Sequence, residues 1–93
     1  MKTHQVKIWD VYFQDVIAGI KPFEVRNNDR DYHAGDIVLL EERVMGEYGS
    51  CSTGRFAILR IKKIYSLGAI AKQLNGYVAF TFDLIHVWHG RDA

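Results

Sequence analysis

Cysteine is almost missing from this chain: Cys51 stands alone in 93 residues. A single thiol cannot close an internal disulfide or supply a cysteine-based zinc cluster, and it needs no oxidising compartment. Proline is equally scarce, with Pro22 the one example. No apolar run approaches the ~20 residues that span a bilayer. The opening MKTHQVKIWD has no hydrophobic segment of the signal-peptide kind. Linkers, repeats and low-complexity stretches are lacking as well. The expectation is a cytoplasmic protein with no membrane partner. At roughly 100–200 residues per domain, residues 1–93 form a single domain. Such a domain, monomer or homodimer, is too small for a deep cleft between two lobes.

Acid is missing locally. Between Tyr48 and Phe82 there is no Asp or Glu, while Arg55, Arg60, Lys62, Lys63 and Lys72 all fall in that stretch. The whole chain is nearly neutral, at +1, so the remainder is acidic. A one-sided basic face attracts polyanions by steering and counterion release. The alternative is that these cations are solvated strand ends paired with acids from elsewhere.

What is abundant is apolar and aromatic side chains, 48% and 13% of the chain. That composition fits a folded globular domain and excludes disorder. His4, Val6 and Ile8 alternate with Gln5 and Lys7, so residues 4–8 form a short half-buried strand. Trp9, Phe13, Val16, Ile17 and Ile20 then recur at helical spacing. They predict a helix over 10–18, capped by Asp10 and ended by Gly19 in the left-handed conformation. Trp9 and Phe13 would both pack inward from it.

Strands follow at 22–27, 36–42, 55–65 and 77–88. The polar stretch 27–35 reads as a loop in which Asn and Asp side chains satisfy backbone donors, so Asp29 and Arg30 are partly structural. Residues 45–54, rich in Gly, Ser and Thr, read as a long flexible loop. Leu67, Ile70, Ala71 and Leu74 predict a second helix over 66–75. The resulting order is β-α-β-β-β-α-β, an α+β and mainly β fold with two short helices. Strands apolar on both faces suggest a small closed barrel plugged by the first helix.

The segment Gly19-Ile20-Lys21-Pro22-Phe23-Glu24-Val25-Arg26 concentrates charge at the helix exit. Glu24 and Arg26 are two apart on a strand and share a face, while Phe23 and Val25 would leave the other face into the core. Spacing alone favours an ordinary surface, with cross-strand charges on a solvated face.

This G-x-K-x-x-E-x-R segment resembles the signature of the ASCH domain, a branch of the PUA-like superfamily. Asn27-Asn28-Asp29-Arg30-Asp31-Tyr32, Gly35-Asp36, Thr53-Gly54-Arg55 and Gly76-Tyr77-Val78 resemble small single-domain bacterial and phage members. The likeness runs over about residues 4–85. It implies a PUA-like β-barrel with a ligand cleft beside the first helix, lined by Lys21, Glu24 and Arg26. RNA or a nucleotide is the implied partner. Arg can fork onto phosphate or a base edge, Lys supplies a point charge, and Glu can accept from an exocyclic amine.

Arg30 and Arg55 complete the expected ligand-binding set, together with Tyr48 as a stacking aromatic. Some members of the resembled family are amidohydrolases acting on N4-acetylcytidine. They carry Thr where Glu24 stands and a Glu on a late strand, where residues 77–88 offer only Asp83. Thr53 or Thr81 would have to supply the hydroxyl, with a base in reach. A non-catalytic module is therefore expected, with the amidohydrolase as the alternative and a protein-interaction module as a weaker third reading.

No metal and no cofactor are expected. His86 and His89, three apart on a strand, face opposite sides and lack further ligands. Cys51 has no neighbouring His and reads as an exposed, inert thiol.

Overall fold

The computed structural model describes residues 1–90. Strand β1 spans Thr3–Trp9, helix α1 Asp10–Ile17, β2 Phe23–Asn27, β3 Ile37–Gly46, β4 Gly49–Ser66 and β5 Tyr77–Trp88. Short 3-10 turns lie at Asn28–Arg30, Leu67–Ala69 and Lys72–Leu74.

The five strands form one mixed sheet in the order β1-β3-β4-β5-β2. β1 runs parallel to β3, and the other neighbours are antiparallel. The sheet ends at β1 on one side and β2 on the other. The mainly β reading of the sequence therefore holds, but the ladder is not closed into the expected barrel. Register shifts between Glu41 and Arg43 and between Ile58 and Leu59 bend the long strands, as extra residues in a ladder do.

The curved sheet wraps a core built from alternating positions. β1 buries His4, Val6 and Ile8, as its period predicts. Val38 and Leu40 of β3, Leu59 and Ile61 of β4 and Phe80 of β5 are buried with them. From α1 come Phe13 and Val16. Fully burying an aliphatic or aromatic side chain of this size contributes about 1.5–3 kcal/mol.

The exit of α1 sets up everything that follows. Gly19 has φ 77°, a conformation that glycine adopts without a Cβ penalty. The Ile20 N–H donates to Asp15 O at 2.9 Å and the Gly19 N–H to Val16 O at 3.2 Å. This pair of bonds is the Schellman termination. The Lys21 N–H also reaches Asp15 O, at 3.0 Å, so the turn that presents Lys21 is fixed by backbone bonds. At the other end Asp10 is the first helical residue. Trp9 occupies the cap position with no side-chain cap bond.

Two expected elements differ. The flexible loop over 45–54 is instead a hairpin in which Gly46 pairs with Gly49 and Met45 with Ser50. Gly49, at φ 118°, allows that tight connection. The helix expected over 66–75 is replaced by two 3-10 turns, and Ile70 is exposed. The stretch is ten residues long, and isolated helices below about 12–15 residues are marginal in water. The segment doubles back instead: a Cβ on Gly68 would sit 2.7 Å from the Asn75 side-chain oxygen.

The polar loop after β2 is organised by Asn28 rather than Asp29. Asn28 Oδ1 accepts from the Tyr32 N–H at 2.9 Å, and the Asn28 N–H donates to Gly76 O at 2.8 Å. Asp31 adopts φ 53° at the turn's end. At the start of β3, Asp36 accepts from His4 Nε2 at 2.8 Å and from the backbone N–H groups of Lys2 and His33 at 3.0 Å each. Burial raises the Asp36 pKa, but these three bonds outweigh it and hold the carboxyl at about 2.

Candidate functional site

The free edges of β1 and β2 flank a cleft of about 490 Å3, with α1 at one end. Lys7, Trp9, Tyr12, Lys21, Glu24, Arg26, Arg43 and Ser50 are among its lining residues. Four of these are cations and only Glu24 is an acid.

Glu24 forms the floor. It is 2% exposed, while Phe23 and Val25 are 45% and 47% exposed. The inside and outside of β2 are thus reversed from the pattern expected of an apolar core. The reason is local: on this strand the inward face meets charge rather than hydrocarbon. Lys21 Nζ donates to Glu24 Oε1. Arg26 Nε donates to Glu24 Oε2 at 2.9 Å, with Nη2 at the same distance. A buried carboxylate is tolerated when paired and hydrogen-bonded in this way.

Arg26 also spans the seam. Its Nη1 donates to the Lys7 backbone oxygen at 3.0 Å, so a β2 side chain reaches the backbone of β1. Lys21 Nζ lies 5.7 Å from the ring centres of both Tyr12 and Phe23, within the range of cation–π attraction.

The expected set is divided by the structure. Lys21, Glu24 and Arg26 come together in the cleft. Arg30 lies beside it, in a second depression of about 530 Å3 that shares Lys7 and Arg26 with the first. Arg55 goes elsewhere: its Nε donates to Glu42 Oε1 at 2.8 Å and its Nη2 to Oε2 at 2.7 Å. Its guanidinium carbon lies 5.0 Å from the Phe13 ring centre. Tyr48 sits at the tip of the β3–β4 hairpin, 97% exposed, and does not line the cleft.

None of the cations from the acid-free stretch lines either depression. Arg55 is committed to Glu42, and Lys62 lies 3.8 Å from Asp83. The basic character of the cleft comes from Lys7, Lys21, Arg26 and Arg43 on four separate segments, which no linear count reveals.

Among the lining residues outside the expected set, Trp9, Tyr12 and Arg43 stand out. Trp9 was expected to pack inward with Phe13. Phe13 does so, but Trp9 is 43% exposed and faces the cleft. The signal was present: Trp9 continues the exposed positions of β1, whose period of two runs up to the helix. Tyr12 is a second exposed aromatic on the same wall.

Arg43 arrives through the bulge in β3. Its Nη2 donates to Ser50 O at 2.8 Å and to Ser50 Oγ at 3.1 Å. Arg43 Nε is a buried nitrogen with no acceptor, an arrangement that costs free energy in a folded protein.

The hydroxyls discussed for hydrolysis lie outside the cleft. Thr53 Oγ1 donates to Glu42 Oε1. Burial raises the Glu42 pKa, but the bonds from Arg55 and Thr53 win, and the carboxyl is held below the ordinary range. That makes it a poor base. Thr81 pairs with Phe23 on the outer face of the sheet. Among the described residues no group of three or more His, Cys, Asp or Glu is placed to hold a metal ion. No helix there is long and apolar enough to cross a membrane.

Comparison with known proteins gives a fold and a family. The crystal structure of the hypothetical protein PH0355 covers 91% of this chain and 100% of its own, with TM-score 0.57 and 20% identity. That likeness concerns the fold alone. An uncharacterised 12.9 kDa protein from the GpA 3′ region of Escherichia phage P2 is 39% identical over 66 residues. That match takes in 71% of this chain but only 57% of the phage protein's length. The family described as a domain of unknown function, DUF3850, matches residues 3–82, which include β1, α1, β2 and the whole charged cleft, and the chain belongs to it.

Proposed function

We propose that the cleft between β1 and β2 is a non-catalytic binding site for RNA or a nucleotide. The observation that carries this reading is the buried Glu24 carboxylate, held by Lys21 and Arg26 beneath a wall of two exposed aromatics. A nucleobase presents a flat face to Trp9 or Tyr12, and such stacking contributes about 1–3 kcal/mol per base. Its exocyclic amine suits a carboxylate acceptor. The phosphate then falls to the surrounding cations, with Arg43 and Lys7 on one wall and Lys21 on the other. The resemblance of residues 19–26 to the ASCH signature supports the same reading.

The test is a titration of labelled single-stranded RNA at two salt concentrations, with Trp9 fluorescence as a second readout. Affinity should fall with salt at a slope of about −0.7 per phosphate contacted. Stacking should quench Trp9, with the variant Trp88→Phe removing the other tryptophan. Glu24→Gln should reduce base preference, and Arg43→Ala should weaken all sequences alike. Absence of binding even at low salt overturns the reading. So does binding that neither Trp9→Ala nor Arg26→Ala affects.

A further inference from the structure

The two depressions are halves of one groove, and Arg26 is the divider between them. Its guanidinium rests on Glu24 to one side and on the Lys7 carbonyl across the seam. Lys7 and Arg26 line both halves. The halves differ in chemistry. The first is walled by Trp9 and Tyr12. The second presents Gln5, Asn27, Asp29, Arg30 and Glu41, side chains suited to hydrogen bonding with base edges and ribose hydroxyls.

We infer that the groove takes two successive nucleotides of a single RNA strand, one per depression, with the linking phosphate at Arg26. Arg26 suits that place because a guanidinium carries five N–H donors, and the bonds to Glu24 and Lys7 occupy only some of them. Arg30 stands on the far side as a partner for the second nucleotide. The exposed Asp29 can accept from a ribose 2′-hydroxyl, the group that distinguishes RNA from DNA, while Glu41 is paired with Arg43 at 3.5 Å. The inference rests on the binding site proposed above and extends it from a nucleotide to a dinucleotide step.

The experiment compares adenosine 5′-monophosphate, the dinucleotide ApA and its deoxy counterpart by calorimetry. ApA carries less charge than the monophosphate, so a gain in its affinity cannot be electrostatic. ApA should bind about tenfold more tightly than the monophosphate, as one additional stacked or paired base allows. The deoxy dinucleotide should lose most of that gain. The variant Gln5→Ala with Arg30→Ala should abolish the gain. Both residues are exposed, and thermal unfolding verifies that the variant folds.

Equal affinity for monophosphate and ApA overturns the inference while the single-nucleotide site stands. A gain retained in the double variant places the second nucleotide elsewhere and also overturns it. If neither probe binds at low salt, the underlying site fails, and the inference with it.

Discussion

Arg55 grips Glu42 with two parallel charge-assisted bonds, Nε to Oε1 at 2.8 Å and Nη2 to Oε2 at 2.7 Å. This bidentate fork joins the bulged end of β3 to β4 and brings the guanidinium over Phe13 of α1. A cation that the sequence offered to a ligand is thereby a brace between two strands and the helix. Bonding to Glu42 raises the Arg55 pKa further above its ordinary value.

Removing one partner leaves the other uncompensated. Arg55→Ala strands a carboxylate that is almost fully buried, and should cost about 3–5 kcal/mol of stability. Denaturant unfolding measures this directly. Ligand affinity should be unchanged, because Arg55 lies outside the cleft. A folded variant of near wild-type stability that no longer binds RNA would return Arg55 to the binding set.

Acid should unfold the protein through two carboxylates. Asp36 falls from an ordinary 3.8 to about 2 on folding, and Glu42 is also lowered. A carboxyl whose pKa is lower in the folded state takes up its proton more readily once unfolded. The stability it contributes is therefore complete above the unfolded value and is lost as pH falls through the folded one. For Asp36 the window lies between about pH 4 and pH 2 and amounts to about 2 kcal/mol. Asp36→Asn should flatten the acid limb of a stability–pH curve; an unaltered limb would assign acid sensitivity to other groups.

The loop after β2 should depend on Asn28. Asn28→Ala removes the acceptor for the Tyr32 N–H and should cost about 1 kcal/mol. In a domain of this size that lowers Tm by roughly 4–8 °C. Asp29→Ala should be nearly silent, since among the described residues its carboxylate accepts no hydrogen bond that holds the loop. Calorimetry of the pair decides the order, and a larger loss for Asp29→Ala would contradict this account.

Glu24→Gln should alter binding more than stability. Lys21 and Arg26 are each about one-quarter exposed, so water can solvate them when the negative charge is removed. The cleft then gains one unit of positive charge. RNA affinity at low salt should rise, while discrimination between bases falls, because the acceptor for an amine is weakened. Tighter binding with selectivity intact would mean that Glu24 orients its neighbours and reads no base.

Much of this architecture is legible in the residues, and the failures share a cause. The alternation of His4, Val6 and Ile8, and the recurrence of Phe13 and Val16 with Gly19 behind them, gave β1 and α1 directly. Pattern reasoning assumes that the inward face is apolar. On β2 that assumption inverts the strand, because Glu24 and Arg26 occupy the interior and Phe23 and Val25 look outward. The apolar spacing of Leu67, Ile70 and Leu74 misled in the opposite sense, predicting a helix where the chain makes two 3-10 turns and leaves Ile70 and Leu74 exposed. Within the site, Lys21, Glu24 and Arg26 were legible because they lie within six residues of one another. Trp9 was legible only as packing, and Arg43 not at all, since its place follows from a bulge in β3 and a hairpin that read as a flexible loop.

The strand order also bears on how the chain reaches its fold in time. β3, β4 and β5 follow one another in sequence and pair as neighbours, so their contacts form with modest loop closure. β1 must instead find β3 beyond the α1–β2 segment. β2 must find β5 across nearly the whole remaining chain, with Phe23 opposite Thr81. Long-range pairings of this kind slow folding, because the entropy of closure is lost before the contacts compensate. The meander is expected to form first and the two outer strands to dock last. Most of the groove's lining comes from those late strands and the α1 segment between them, so a nascent or partly unfolded chain would keep most of its sheet and lack the binding site.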